Sequence, residues 1–163
     1  MNVIAIEAEP FTPQIAHELL PLGQKCWEES TLTKKDTCAF YGERDFAIEP
    51  NVEKYLALAA NGVVTLITLR ENGRLRGYVL GLAYYSLHHK DILCAICDTA
   101  YIEPEYRSYG AIVAEKFEAA MRERNVQIIG WPTHVDGPMY ALLKARGYVG
   151  DDIVMEKRLP CVS

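Results

Sequence analysis

The sequence predicts a mixed α/β fold. A mostly antiparallel central sheet of about six or seven strands, with one parallel strand–helix–strand crossover, would be flanked by about four helices. Two observations carry this. Three β-rich runs follow one another between Val63 and Ile102, joined by Glu71-Asn72-Gly73 and then by the polar His88-His89-Lys90-Asp91, which is the pattern of a meander. The spacing then turns helical and returns to a short apolar run at residues 127–131, and strand, helix, strand implies parallel neighbours.

Each element has its own signal. Residues 1–7 alternate weakly and read as a first strand. Residues 13–29 carry Ile15, Ala16, Leu19, Leu20, Leu22, Cys26 and Trp27 at mostly helical spacing, with Pro21 expected to kink or split the helix. Residues 30–50 are polar and irregular and read as a loop. Asn51 is expected to cap a short helix over residues 52–60, which Asn61-Gly62 ends. Strands follow at residues 63–70, 77–86 and 92–102, then a turn at 104–110. Val113, Ala114, Phe117, Ala120 and Met121 mark one face of a helix running to about Asn125. A last helix near residues 138–146 carries Met139, Leu142 and Leu143 and is stopped by Gly147, and residues 148–159 alternate enough for one or two closing strands.

Composition narrows the class. A length of 163 residues suits a single domain over residues 1–163. Seventeen Lys and Arg against 22 Asp and Glu give a net charge of −5, which argues against general nucleic-acid binding. Residues 1–10 lack the basic and apolar regions of a signal peptide, and no run is long enough to span a membrane. Five irregularly spaced cysteines suit reduced thiols in a cytoplasmic protein. Cys94 and Cys97 form a CxxC pair, but they lie within a predicted strand, where residues three apart point to opposite faces. Packed core thiols are therefore expected, rather than a metal or redox site.

The segment Asp98–Gly110, DTAYIEPEYRSYG, carries the chemistry. A strand ends, a loop with Arg107, Ser108, Tyr109 and Gly110 follows, and a helix begins. Backbone N–H groups at such a start form an anion cradle. There is no Walker loop and no dinucleotide fingerprint. The run Ile102-Glu103-Pro104-Glu105-Tyr106-Arg107-Ser108-Tyr109-Gly110 resembles the motif of the GNAT (GCN5-related N-acetyltransferase) superfamily: hydrophobic, any, Pro, then Arg/Gln-x-x-Gly-x-Gly/Ala. The order of elements and Arg146-Gly147-Tyr148 near the C-terminus resemble it too. The likeness extends over residues 63–159 and more loosely over the N-terminal third. There Trp27-Glu28-Glu29-Ser30 is similar to a segment of small phage and bacterial members.

The resemblance implies an acetyl-CoA site. The backbone of Tyr101 and Ile102 would pair with the pantetheine arm, and the N–H groups from Arg107 through Ser108, Tyr109 and Gly110 to Ala111 would hold the pyrophosphate. Two departures stand out. The motif's last small residue is Ile112, and the family's frequent general-acid Tyr falls on Leu143, with Tyr140 one helical turn earlier.

Amine acetylation needs a base for the attacking amine and a donor for the leaving thiolate. Asp98 is the base candidate, four residues before Ile102 and so on its face if no bulge intervenes; a structural carboxylate or a cation anchor is weighed evenly against it. His134 follows the 127–131 strand and, as a histidine, could shuttle a proton. Tyr140 is a donor candidate. Tyr84, at the end of the second hairpin strand, and Glu28, Glu29 and Tyr41, in the region that shapes acceptor specificity in the family, are candidates for acceptor binding; solvated surface residues are the competing reading.

The resemblance thus implies an N-acetyltransferase that moves acetyl from acetyl-CoA to a primary amine by direct attack in a ternary complex. The acceptor would be a small molecule or a protein, the resemblance leaves a homodimer open, and no membrane partner is implied. The alternative is a catalytically inactive GNAT-fold binding or structural protein, motivated by Ile112 and Leu143.

Overall fold

The computed structural model describes residues 2–34, 49–133 and 137–150, and of residues 30–34 the backbone alone. In order along the chain come β1 (Ile4–Glu9), α1 (Pro13–Lys34), α2 (Val52–Ala60), β2 (Val64–Glu71), β3 (Arg74–Tyr85) and β4 (Leu93–Ile102). A 3-10 helix (Pro104–Tyr109), α3 (Gly110–Glu123), β5 (Ile128–Gly130) and α4 (Pro138–Ala145) follow. The sheet order is β1-β2-β3-β4-β5. The first four strands pair antiparallel, and β5 joins β4 in parallel through Cys94↔Ile128, Ala95↔Ile129 and Ile96↔Gly130. The described residues hold five of the expected six or seven strands; the expected closing strands fall mostly on residues 151–159, outside the described residues.

The chain divides into two compact units: Met1–Cys26 with Glu49–Pro132, and Trp27–Ile48 with Thr133–Ser163. The first holds the sheet, with a core on each face. On one face Ile15, Leu19 and Leu22 of α1 pack with Leu66, Leu75, Tyr78, Leu80 and Tyr101, and Tyr55 of α2 and Phe11 join them. On the other, Val113, Phe117 and Met121 of α3 pack on Ile67, Leu69, Val79, Ala95 and Cys97. Phe117 is fully buried and meets Trp131 edge-on, with ring centroids 5.3 Å apart. In the second unit α4 ends as expected: Gly147 takes φ 88° and the Tyr148 N–H reaches back to the Leu143 carbonyl at 3.0 Å.

Local signals account for several boundaries. The Asn51 side chain accepts the Lys54 N–H at 3.0 Å and opens α2. Asn72 and Gly73 take φ 50° and 81°, the left-handed pair of a tight hairpin turn between β2 and β3. Two expectations are corrected. Pro21 neither splits nor ends α1, which continues to Lys34 through part of the expected loop. Residues 104–109, expected as a turn, form a 3-10 helix, with Pro104 suited to its first turn because it has no N–H to leave unbonded.

Candidate functional site

β4 carries Asp98, Tyr101 and Ile102. Leu80 pairs with Thr99 but Gly81 pairs with Cys97, so Asp98 is the extra residue of a β-bulge. The bulge reverses side-chain alternation along the strand. Ala95 and Cys97 face α3 before it, and Ala100 and Ile102 face α3 after it. Asp98 and Ile102 therefore lie on opposite faces, not on the one that simple alternation predicts.

Asp98 is exposed, and its Oδ2 accepts a hydrogen bond from the Tyr55 hydroxyl at 2.5 Å. Burial, reinforced by the Asp98 carboxylate, pushes the Tyr55 phenol well above its ordinary range, so it stays a donor. Tyr78 is pushed up to about 12, chiefly by burial. Its hydroxyl lies 3.2 Å from that of Thr99. A carboxylate thus stands at the edge of a small group of hydroxyls. Tyr55 does not stand out in the sequence, because its contact with Asp98 spans 43 residues.

Past the bulge, β4 outruns β5, whose last pairing is Ile96↔Gly130. Tyr101 and Ile102 still pair with Tyr78 and Gly77 of β3, but among the described residues no strand pairs with Cys97–Ile102 on the other edge. The chain then enters the 3-10 helix and α3. Arg107, Ser108 and Ala111 are exposed there, and Tyr109 and Gly110 are half-buried. Gly110 is helical, at φ −54° and ψ −39°, and its N–H is engaged by the Arg107 carbonyl. The Arg107 side chain donates to the Ile102 carbonyl at 3.2 Å and lies 6.0 Å from the Tyr101 ring centroid. Ile112 is 44% exposed.

The remaining candidates lie elsewhere. Tyr84 is the next-to-last residue of β3 and is exposed. Glu28 and Glu29 are exposed on α1, and Tyr140 is half-buried on α4; all three belong to the second unit. Tyr41 and His134 are outside the described residues. Cys94 and Cys97 are buried free thiols, and burial pushes the Cys97 thiol far up. Among the described residues no cluster of three or more His, Cys, Asp or Glu is placed to hold a metal, and no helix is long and apolar enough to cross a membrane. A cavity of about 620 Å³ lined by Phe11, Leu56, Thr65, Glu123 and Arg124, among others, includes none of the candidate residues.

No family model matches the chain, and no curated protein matches it. Solved structures do. A tetramutant of a Bacillus halodurans protein matches with a TM-score of 0.72 at 13% identity, covering 95% of this chain and 99% of that one. An aminoglycoside acetyltransferase from an uncultured soil metagenomic sample, solved with sisomicin, matches with a TM-score of 0.65 at 13% identity over 97% of this chain and 96% of that one. A predicted acetyltransferase from Clostridium acetobutylicum, solved with acetyl-CoA, matches with a TM-score of 0.63 at 14% identity over 96% of each chain. This chain shares the fold of these acetyltransferase structures, with five strands among the described residues.

Proposed function

We propose that the protein is an N-acetyltransferase that moves acetyl from acetyl-CoA to a primary amine. The observation that carries this is the course of β4: its Cys97–Ile102 segment outruns β5 and leads directly into the Arg107–Ala111 helix start, in a fold shared with acetyltransferases. An extended chain with amide groups can add to such a strand edge, as pantetheine would. An anion is favoured at a helix start, as the pyrophosphate would be. Exposed Arg107 and Ser108 suit that role, while the Gly110 N–H is engaged by the Arg107 carbonyl.

Acetyl-CoA supplies the activated acetyl group as a thioester. Transfer of that acetyl group to a neutral amine would release the coenzyme as a thiolate. Asp98 takes the proton from the amine through its second carboxylate oxygen, Oδ2 being occupied by Tyr55. The thiolate needs a proton donor, and Tyr140 is the candidate. Glu28, Glu29, Tyr41 and Tyr84 are proposed to bind the acceptor, with His134 as an auxiliary proton carrier. The acceptor is a cationic amine on a small molecule or a protein.

An acceptor screen read by free-thiol release from acetyl-CoA tests this. A set of primary amines should include one that turns over, and Asp98→Asn should lose about a hundredfold or more of that rate while still binding acetyl-CoA. Unchanged turnover in Asp98→Asn would remove Asp98 from the reaction. A second reading, a GNAT-fold binding protein without catalysis, is favoured by exposed Ile112 at the motif's small position and by the engaged Gly110 N–H. Absence of any acetyl-CoA binding would select it.

A further inference from the structure

Five stretches of chain meet around Glu103, and the chemistry above uses none of the cluster they form. Glu103 is the residue before Pro104, so it fixes where β4 hands over to the 3-10 helix. Its N–H donates to the Arg76 carbonyl at 2.9 Å, and its own carbonyl accepts the Tyr106 N–H at 2.8 Å. Its carboxylate is held twice, by Lys25 Nζ of α1 at 2.5 Å and by the Arg76 guanidinium of β3 at 3.2 Å. The other arm of Arg76 reaches Glu71 Oε2 at 3.0 Å, and the Tyr106 hydroxyl donates to that same oxygen at 2.7 Å. Asn2 donates to the other Glu71 oxygen at 3.0 Å. The Arg76 guanidinium also lies 5.1 Å from the Tyr106 ring centroid. Glu103, Arg76, Glu71 and Tyr106 therefore close a ring around the first turn of the 3-10 helix.

Glu103 is only 8% exposed. Burial works against its ionised form, yet Lys25 and Arg76 outweigh it and hold the carboxyl below the ordinary carboxylate range. The 3-10 helix has no fully buried residue of its own. Tyr106 and Tyr109 pack on the α3-side core while only partly buried, and the directional polar contacts add a second hold on the segment.

We propose that Glu103 is a positioning residue for coenzyme binding: through Lys25, Arg76 and Tyr106 it sets how Arg107–Ala111 meet the phosphates of acetyl-CoA. The inference rests on reading those residues as the acetyl-CoA site. Glu103 does not itself reach the ligand; it holds the segment that does. A small displacement of such a segment is costly, since a shift of about 1 Å at a binding or reacting group can cost about a hundredfold.

Calorimetric titration with acetyl-CoA tests the proposal on the wild type, Glu103→Gln, Tyr106→Phe and Glu18→Gln. Glu18 accepts from Arg70 at 2.7 Å in a separate cluster with Glu9. Its variant therefore removes an ion pair of the same kind without touching the 3-10 helix, and thermal unfolding of each variant reports the accompanying loss of stability. Glu103→Gln should weaken acetyl-CoA binding about tenfold or more, Tyr106→Phe should weaken it less, and Glu18→Gln should leave it unchanged. Unchanged affinity in Glu103→Gln, or equal weakening by Glu18→Gln, overturns the positioning role. A wild type that binds no acetyl-CoA overturns the reading of the site, and the proposal with it; the wild-type titration alone distinguishes that failure. Should Glu103→Gln not fold, Glu103→Asp, which keeps the charge and shortens its reach, carries the same prediction.

Discussion

One oxygen of the Asp98 carboxylate takes the Tyr55 hydroxyl at 2.5 Å. The Tyr55 ring is itself steadied by Phe11, with centroids 5.8 Å apart, and by the α1-side core. Tyr55→Phe keeps that packing and removes the hydrogen bond alone. With the best acceptor found, it is expected to lower turnover about tenfold, the scale of one hydrogen bond to a charged group, with acetyl-CoA affinity and melting temperature little changed. Steady-state kinetics beside calorimetry check this, and a variant as fast as the wild type would remove Tyr55 from the account. Asp98 was legible in the sequence as a carboxylate in an apolar strand near the motif. Its face was not, because the bulge that reverses β4 depends on pairing with β3, which residue types alone do not encode. The cluster around Glu103 was illegible for a similar reason: Lys25, Glu71 and Arg76 are ordinary surface-type residues until the fold gathers them.

At the scale of elements, β4 depends on a glycine across from its bulge. A Cβ added to Gly81 would stand 2.4 Å from Phe117 Cζ and 2.8 Å from Met121 Cε, so α3 sits this close to the sheet because Gly81 has no side chain. Gly81→Ala is therefore expected to cost about 1–3 kcal/mol by overpacking, measured by chemical denaturation; no loss would mean that α3 can move away freely. The strands, the hairpin turn and the start of α2 followed from local pattern because their signals are local: Asn72-Gly73 accepts positive φ, and Asn51 caps its own helix. The course of α1 did not. Pro21 removes one donor, but Leu19 and Leu22 on either side of it are both buried, and that tertiary gain outweighs the local penalty.

At the scale of the sheet, the β2–β3–β4 meander and the parallel crossover to β5 were legible because each buried face repeats with its own period, 2 for strands and 3.6 for helices, whereas the place of β1 beside β2 was not. Identity to the matched structures is only 13–14% in the three described, so the fold persists where residue likeness has largely gone. Stability should carry the mark of three carboxyls held below their ordinary value of 4.5: Glu9 chiefly by Arg70, Glu71 chiefly by Tyr106, and Glu103 by Lys25 and Arg76 against burial. Each binds its proton more readily when unfolded, so their contribution is complete above about pH 4.5 and is lost as pH falls through the folded values. Denaturation midpoints should hold from about pH 7 to 5 and then fall, and a midpoint that rises on acidification below 4.5 would contradict this. The central claim, that β4 and the start of α3 bind acetyl-CoA for acetyl transfer, is tested most directly by the melting temperature with and without acetyl-CoA. At about a hundred times the dissociation constant the coenzyme should stabilise the protein by about 2.7 kcal/mol, a rise of about 5–10 °C for a chain of this size, whereas no rise at about millimolar acetyl-CoA would contradict it.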